Sequence, residues 1–261
     1  MSVLILDFET DGLDTKTCQP IEIGVMKTSN DFKTVHENYD SLMWTPSREP
    51  ISPEIEKITS ITMEQLLSSG KNPTAVYEEM CKSLEVDDAV QYVVAYNREY
   101  DEAVYNEELK RHHLEMHPQL AWLKNLPWLC AMRDVEANYT KKSWKLSHVA
   151  VDSGCIVDGS QLHRAMADVM LTRQLLTAVG ATAEQMYEFQ QIPWTYLSAK
   201  VTPPWEDGGK SSAKAKSFGY TWEKAHGGDK VFAKTWVKRV KKTWLEKELN
   251  NTELSVKEIG T

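Results

Sequence analysis

Cysteine is scarce in this sequence, and what there is does not pair by spacing. Cys18, Cys81, Cys130 and Cys155 lie far apart, with no C-x-x-C among them. That argues against a disulfide framework and against a zinc site, and leaves free thiols in a reducing compartment. No apolar run approaches the ~20 residues needed to span a bilayer, so no membrane association is expected. The N-terminus, Met1-Ser2-Val3-Leu4, lacks the basic stretch of a secretory leader and runs straight into apolar sequence. A cytoplasmic setting is the expectation. Positive charge is also short, with 30 Lys+Arg against 38 Asp+Glu and a net charge of −8. Taken alone, that weighs against a nucleic-acid partner.

The deficit is uneven. Residues 1–195 hold 17 Lys+Arg and 30 Asp+Glu, a balance of −13, whereas residues 196–261 hold 13 and 8, a balance of +5. An acidic body carries a basic tail. The 261 residues are 41% hydrophobic and 26% charged, which fits a soluble globular chain of one large domain, or one domain with an appendage.

The most informative stretch is Leu4-Ile5-Leu6-Asp7-Phe8-Glu9-Thr10-Asp11-Gly12-Leu13. It opens as a buried strand and ends in a turn. Side chains alternate across a strand, so Asp7 and Glu9 share one face while Phe8 points to the other. Two carboxylates side by side at the end of a buried strand repel each other unless one stays protonated or a cation neutralises them. Carboxylate oxygens are preferred ligands of hard divalent ions. The plainer alternative is a strand that has reached solvent, and other acids must arrive from elsewhere to decide between the two.

In chain order, Pro20–Met26 and Lys33–Trp44 read as strands of an antiparallel meander with the first. Ser52-Pro53 and the capping box Thr62-Met63-Glu64-Gln65 open short helices. Pro73–Leu84 is helical, and Val90–Ala95 is a strand that runs through Tyr96-Asn97 into a helix from about Asp101 to His113. Such strand-to-helix junctions are where sites on α/β sheets lie. Leu126–Cys130 is a short strand, followed by helical segments near Ala131–Tyr139 and Lys145–Val151, a long helix Leu162–Val179 and a last turn or two at Glu184–Gln190. The long helix carries His163-Arg164-Ala165-Met166-Ala167-Asp168. Five residues are about 500° of rotation, so His163 and Asp168 fall about 140° apart on the wheel. They can meet only if His163 lies at or before the helix start, with Asp158-Gly159-Ser160 as the preceding turn.

Asp7-x-Glu9, Asn97-x-x-x-Asp101 and His163-x-x-x-x-Asp168 together resemble the three motifs of the DEDDh (DnaQ-like) 3′→5′ exonucleases. The likeness is strongest to the exonuclease X branch, through Ile51-Ser52-Pro53, Ile58, Ile61-Thr62, Trp128-x-Cys130-x-Met132 and Thr182-Ala183-Glu184-Gln185-Met186. It covers about residues 1–190. It implies an α/β, RNase H-like fold: a mixed five-stranded sheet, antiparallel for strands 1–3 and then parallel, flanked by helices, with a small basic C-terminal extension. The expected layout is an exonuclease domain over 1–192, a linker over 193–212, where Pro and Gly are frequent, and a basic, aromatic-rich region over 213–261.

The resemblance also implies the chemistry. Two Mg²⁺ ions, with Mn²⁺ as substitute, are held by Asp7, Glu9, Asp101 and Asp168. Asp7 bridges both, Glu9 and Asp168 help to hold the ion carrying the attacking water, and Asp101 contributes through ordered water. His163 is the general base. The substrate is nucleic acid with a free 3′ end, DNA favoured, and the product is a nucleoside 5′-monophosphate. A role in DNA repair or replication goes with it. Thr10, Leu13, Ile58, Tyr96 and Asn97 are the expected substrate contacts. Two positions depart from the family pattern. Thr59 and Tyr96 stand where relatives commonly have histidine, and Tyr96 is either a ring for base stacking or an ordinary strand-end tyrosine. An RNase T-like exoribonuclease and a non-catalytic 3′-end-binding module are the alternatives; the intact acids and histidine argue against the second.

In the tail, Phe218, Tyr220, Trp222, Phe232, Trp236 and Trp244 interleave with lysines. Phe232, Trp236, Val240 and Trp244 recur every four residues, which predicts an amphipathic helix within Asp229–Leu249. That helix either packs on a small core with a solvated basic face, or holds nucleic acid by lysine–phosphate and aromatic–base contacts. A third reading is a docking element for a replication or repair partner.

Overall fold

The computed structural model describes residues 1–140, 143–159, 163–223, 235–250 and 254–260. The chain divides into two compact units, Met1–Phe189 and Gln190–Thr261.

The first unit is built on a five-stranded sheet in the order β3-β2-β1-β4-β5. The strands are β1 (Ser2–Thr10), β2 (Pro20–Ser29), β3 (Val35–Leu42), β4 (Val90–Ala95) and β5 (Trp128–Cys130). β1, β2 and β3 are antiparallel neighbours, while β4 runs parallel to β1 and β5 parallel to β4. Helices α1 (Pro53–Thr59), α2 (Met63–Ser69) and α3 (Pro73–Ser83) follow β3. Helices α4 (Arg98–Arg111) and α5 (Pro118–Asn125) lie between β4 and β5, and α6 (Leu146–Asp152), α7 (Ala165–Ala178) and α8 (Ala183–Gln191) come after β5. The helix starts follow local chemistry. Ser52 caps α1 ahead of Pro53, and Thr62 and Gln65 close a reciprocal capping box on α2.

β1 is apolar from Val3 to Leu6 because both of its faces are covered. Leu4, Leu6 and Phe8 join one cluster with Val76 and Met80 of α3, Val104 and Leu109 of α4 and Leu120 of α5. Val3 and Ile5 join a second cluster with Val169 and Leu176 of α7 and Met186 of α8. Each such side chain, fully buried, contributes about 1.5–3 kcal/mol. The alternation continues past the core, so Asp7 and Glu9 fall on the face that α7 covers. Phe8 turns to the other face, as the strand period requires.

Several elements differ from the sequence expectation. α4 begins at Arg98 rather than at Asp101, so Asp101 sits within its first turn. In place of the helical segment expected near 131–139 there is a 3₁₀ turn, Glu136–Thr140, which starts five residues later and runs one residue past it. α7 begins at Ala165, three residues later than the periodicity suggests, and leaves His163 outside the helix. Ser160, Gln161 and Leu162 lie outside the described residues.

The second unit corrects the expected layout more deeply. Residues 193–212, expected as a linker, hold β6 (Trp194–Lys200), α9 (Pro204–Asp207) and the start of α10 (Lys210–Ser217). The prolines at 193, 203 and 204 mark element boundaries, not a flexible tether. β6 is central in a four-stranded antiparallel sheet of order β7-β8-β6-β9, with β7 (Thr221–Glu223), β8 (Thr235–Lys241) and β9 (Ser255–Gly260). The expected amphipathic helix is therefore a strand over Thr235–Lys241. A 3₁₀ turn, Lys242–Trp244, and the short α11 (Leu245–Leu249) follow it. Trp236 and Val240 are an even number of residues apart, so a strand also places them on one face. Thr235, Val237 and Val240 favour the pleated surface. Phe232, Lys224, Lys230 and Lys234 lie outside the described residues. Lys241 is not on a solvated face: it is buried and its Nζ donates to the carbonyls of Gln190 (2.9 Å) and Ile192 (2.8 Å).

Among the described residues, no helix is long and apolar enough to cross a membrane. All four cysteines are free thiols.

Candidate active site

Three elements bring acids to the C-terminal end of β1. β1 itself supplies Asp7 and Glu9. Asp101 comes from the first turn of α4, and its Oδ1 accepts the N–H of Phe8 at 3.3 Å. That bond has a structural cause. The β1–β4 pairing ends at Ile5↔Val94, so beyond it this edge of β1 has no strand partner. The carboxylate of the helix that continues β4 satisfies the donor instead. Asp168 lies in the first turn of α7. His163 precedes that helix with a left-handed backbone (φ 63°), unusual for a residue with a Cβ. It is this bend that overcomes the unfavourable helical-wheel angle. Ligand atoms of Glu9, His163 and Asp168 all lie within 4.8 Å of one another.

The electrostatics record the crowding. Burial raises Asp7 well above the usual carboxylate range, and the charges of Asp101, Asp168, Glu9 and Glu22 push it further. Burial, then Asp168, Glu22 and Asp101, carry Glu9 to about 8 against the opposing pull of Arg164. Burial carries Asp101 to about 8 despite the Phe8 N–H, with Asp168 adding to the rise. Asp168 reaches about 6, raised by burial and held back by His163. Its Oδ1 is buried and has no hydrogen-bond partner among the described residues. Four carboxylates that each favour a proton, one with an orphaned oxygen, form a hard-oxygen donor set suited to divalent cations.

Two residues that sequence reasoning passed over hold this arrangement. Glu22 of β2 is opposite Glu9 in register. It is buried, accepts from Arg164 Nε at 3.1 Å on both oxygens and from Nη2 at 2.5 Å, and also takes the N–H of Ala165 at 2.8 Å. One carboxylate thus clamps the residue after His163 and the first residue of α7. Gly24, opposite Asp7, is the second. A Cβ there would stand 2.6 Å from Ala165 C and Met166 N, so only glycine lets the start of α7 lie against β2. A glycine in the interior of the strand-forming stretch Ile21–Met26 is the signal that could have revealed such an approach.

The expected substrate contacts fare differently. Thr10 is buried; its Oγ1 donates to the Gly12 carbonyl (2.7 Å) and lies 2.5 Å from the Tyr100 hydroxyl, which reaches the same carbonyl at 2.8 Å. Tyr100, unflagged in the sequence, therefore shapes the turn after the acids. Asp11 braces that turn from the other side. It accepts the N–H of Gln19 (2.7 Å) and pairs with Arg48 (2.8 Å), whose guanidinium lies 4.7 Å above the Trp44 ring centre. Leu13 projects from the braced turn with 91% of its surface exposed. Ile58 is exposed on α1, and Asn97 is exposed at the start of α4, where its side chain makes no capping bond. The Tyr96 hydroxyl donates to the Trp144 carbonyl at 2.7 Å. Thr59 faces inward, donating to Ile55 O and accepting from Ile61 N, and closes the end of α1.

The profile of the exonuclease family matches residues 4–176, which hold every one of these acids and His163. The chain belongs to that family. No curated protein matches it at a significant level. Among solved structures it is similar to E. coli exonuclease I in a zinc-bound complex with single-stranded DNA (TM-score 0.59, 17% identity, 78% of this chain and 48% of that one). It is similar also to E. coli exonuclease I with a dA16 oligonucleotide (0.61, 16%, 92% and 63%). Exonuclease X in complex with 5′-overhanging duplex DNA matches as well (0.51, 22%, 72% and 98%). These likenesses establish the mixed-sheet fold. The chain spans about half the length of the first exonuclease I structure.

Proposed function

We propose that the chain is a 3′→5′ exodeoxyribonuclease that releases nucleoside 5′-monophosphates. The observation that carries this reading is the meeting of Glu9, Asp168 and His163, with Asp7 crowded by the charges of Asp101, Asp168 and Glu9 and with a buried Asp168 oxygen that has no hydrogen-bond partner among the described residues. Those four carboxylates would hold two Mg²⁺ ions. When bound, the ions neutralise the cluster and stabilise the charge that develops on the attacking and leaving oxygens. His163 is exposed and adjacent to Glu9 and Asp168, so its ring takes the proton from the attacking water. The water oxygen bonds to phosphorus as the bond to the 3′-oxygen of the penultimate nucleotide breaks. Glu22 and Arg164 keep His163 and Asp168 in register. Leu13, on its braced turn, is placed to pack against the terminal nucleotide, with Thr10 holding the backbone behind it. Asn97, Ile58 and Tyr96 supply further contacts.

The test uses single-stranded DNA, duplex DNA and RNA, each labelled at either end, with Mg²⁺ or with chelator. The expected outcome is loss of 3′ mononucleotides from DNA, abolished by chelator and by Asp7→Asn. An active Asp7→Asn protein removes the mechanism, and faster trimming of RNA than of DNA moves the assignment to an exoribonuclease.

A further inference from the structure

We infer that the C-terminal unit carries a binding surface for single-stranded DNA at one end of its four-stranded sheet, centred on Trp222 and flanked by Lys200 and Lys257. The inference rests on the proposed action on DNA strands and names a second place where such a strand is held.

Trp222, Trp236, Ala199 and Val256 are successive cross-strand partners along β7, β8, β6 and β9. Trp236, Ala199 and Val256 belong to the apolar cluster of this unit. Trp222, on the edge strand, keeps 46% of its surface exposed, whereas Trp236 keeps 9%. The two rings meet edge-on, with centres 5.8 Å apart, so Trp236 props a large exposed aromatic that the core does not need. A cavity of about 480 Å³ opens at this row, large enough for a nucleotide-sized group. Lys200 and Lys257 line it from the neighbouring positions of β6 and β9, which the strand alternation puts on the other face of the sheet, so the cavity at this end is lined from both faces. Thr235 and Ser255 add hydroxyls, and among the described residues no carboxylate lines it.

The lysines here differ from others in the unit. Lys238 is paired with Glu248 and Lys241 is engaged by two carbonyls. Lys200 and Lys257 are exposed, and among the described residues neither has an ion-pair partner. The occupant must therefore be anionic and must present flat apolar faces. Unpaired bases on a phosphodiester backbone meet both demands, since any base stacks on an aromatic ring while its phosphates meet the lysines. A duplex keeps its base faces within the stack and meets only the second. The balance of +5 over residues 196–261, against −13 for the rest, favours the same partner.

The test is fluorescence anisotropy of the full chain carrying Asp7→Asn, with labelled dT20, a U20 RNA and a blunt DNA duplex, over a range of salt. Trp222→Ala is expected to weaken dT20 binding about 5- to 100-fold. The exposed pair Lys200→Gln/Lys257→Gln, which leaves the core untouched, is expected to flatten the slope of log affinity against log salt by about 0.7 per lysine. Melting curves check folding, and the lysine variant decides the matter if Trp222→Ala does not fold. Unchanged affinity and salt slope in these variants overturn the surface. Tighter binding of duplex or RNA than of dT20 overturns the occupant. Hydrolysis of dT20 by the unsubstituted protein is followed separately. Its absence removes the nuclease reading, whereas hydrolysis with binding indifferent to Trp222 and the lysines removes this surface alone.

Discussion

Raising the pH of the metal-free protein from 5 to 8.5 should destabilise its first unit, and the site dictates the sign. Glu9 has an ordinary value of 4.5 and is carried to about 8 in the fold. The folded chain therefore holds this proton more tightly than the unfolded chain. The resulting stabilisation is complete below about 4.5 and is lost as the pH rises through about 8. A rise from 4.5 to about 8 corresponds to about 5 kcal/mol. Asp7 and Asp101 move in the same direction. Their shares do not add to that of Glu9, because the first proton bound relieves the repulsion felt by the rest. A total of about 5 kcal/mol is thus the scale for the cluster. At about 2–4 °C per kcal/mol for a unit of this size, Tm should fall by roughly 10–20 °C between pH 5 and 8.5 in chelator. Divalent ions bind the deprotonated fold and should return about 3 kcal/mol at a hundredfold excess over Kd, which flattens the profile. Asp101→Asn removes one member and should shrink the fall. The assay is a set of calorimetric melts in EDTA and in Mg²⁺ across that pH range. A metal-free Tm that is flat or climbs toward pH 8.5 refutes the reasoning, because the acids would then not share one buried space.

Other expectations follow from the same geometry. Glu22→Ala leaves Arg164 and the Ala165 N–H without their acceptor. It should cost about 2–4 kcal/mol in urea unfolding and lower kcat more than it raises KM, since it acts by misplacing His163 and Asp168. Glu22→Gln, which keeps one acceptor oxygen, should restore part of both, and equal kcat in all three proteins would show that the clamp is irrelevant to turnover. His163→Ala should reduce kcat about 10²–10⁴-fold with little change in Tm, because the side chain is exposed. A variant with near-normal turnover takes His163 out of the mechanism.

Much of this protein is legible along the chain because the relevant physics is local. The alternation of β1 alone places Asp7 and Glu9 on one face and Phe8 on the other, and the capping box at Thr62 announces its helix. The constraint that His163 must precede α7 follows from helix geometry, and the left-handed bend at that residue meets it. Other features depend on pairings between distant residues that no local pattern records. Glu22 looks like an ordinary strand acid until register sets it opposite Glu9 and α7 arrives beside it. Gly24 matters only because a helix 140 residues later lies against it. The second unit shows the limit most clearly. A spacing of four is compatible with a helix and with a strand alike, and the sheet partners offered by β6 and β7 decide for the strand. Periodicity states which side chains share a face; only the folded chain determines what that face meets.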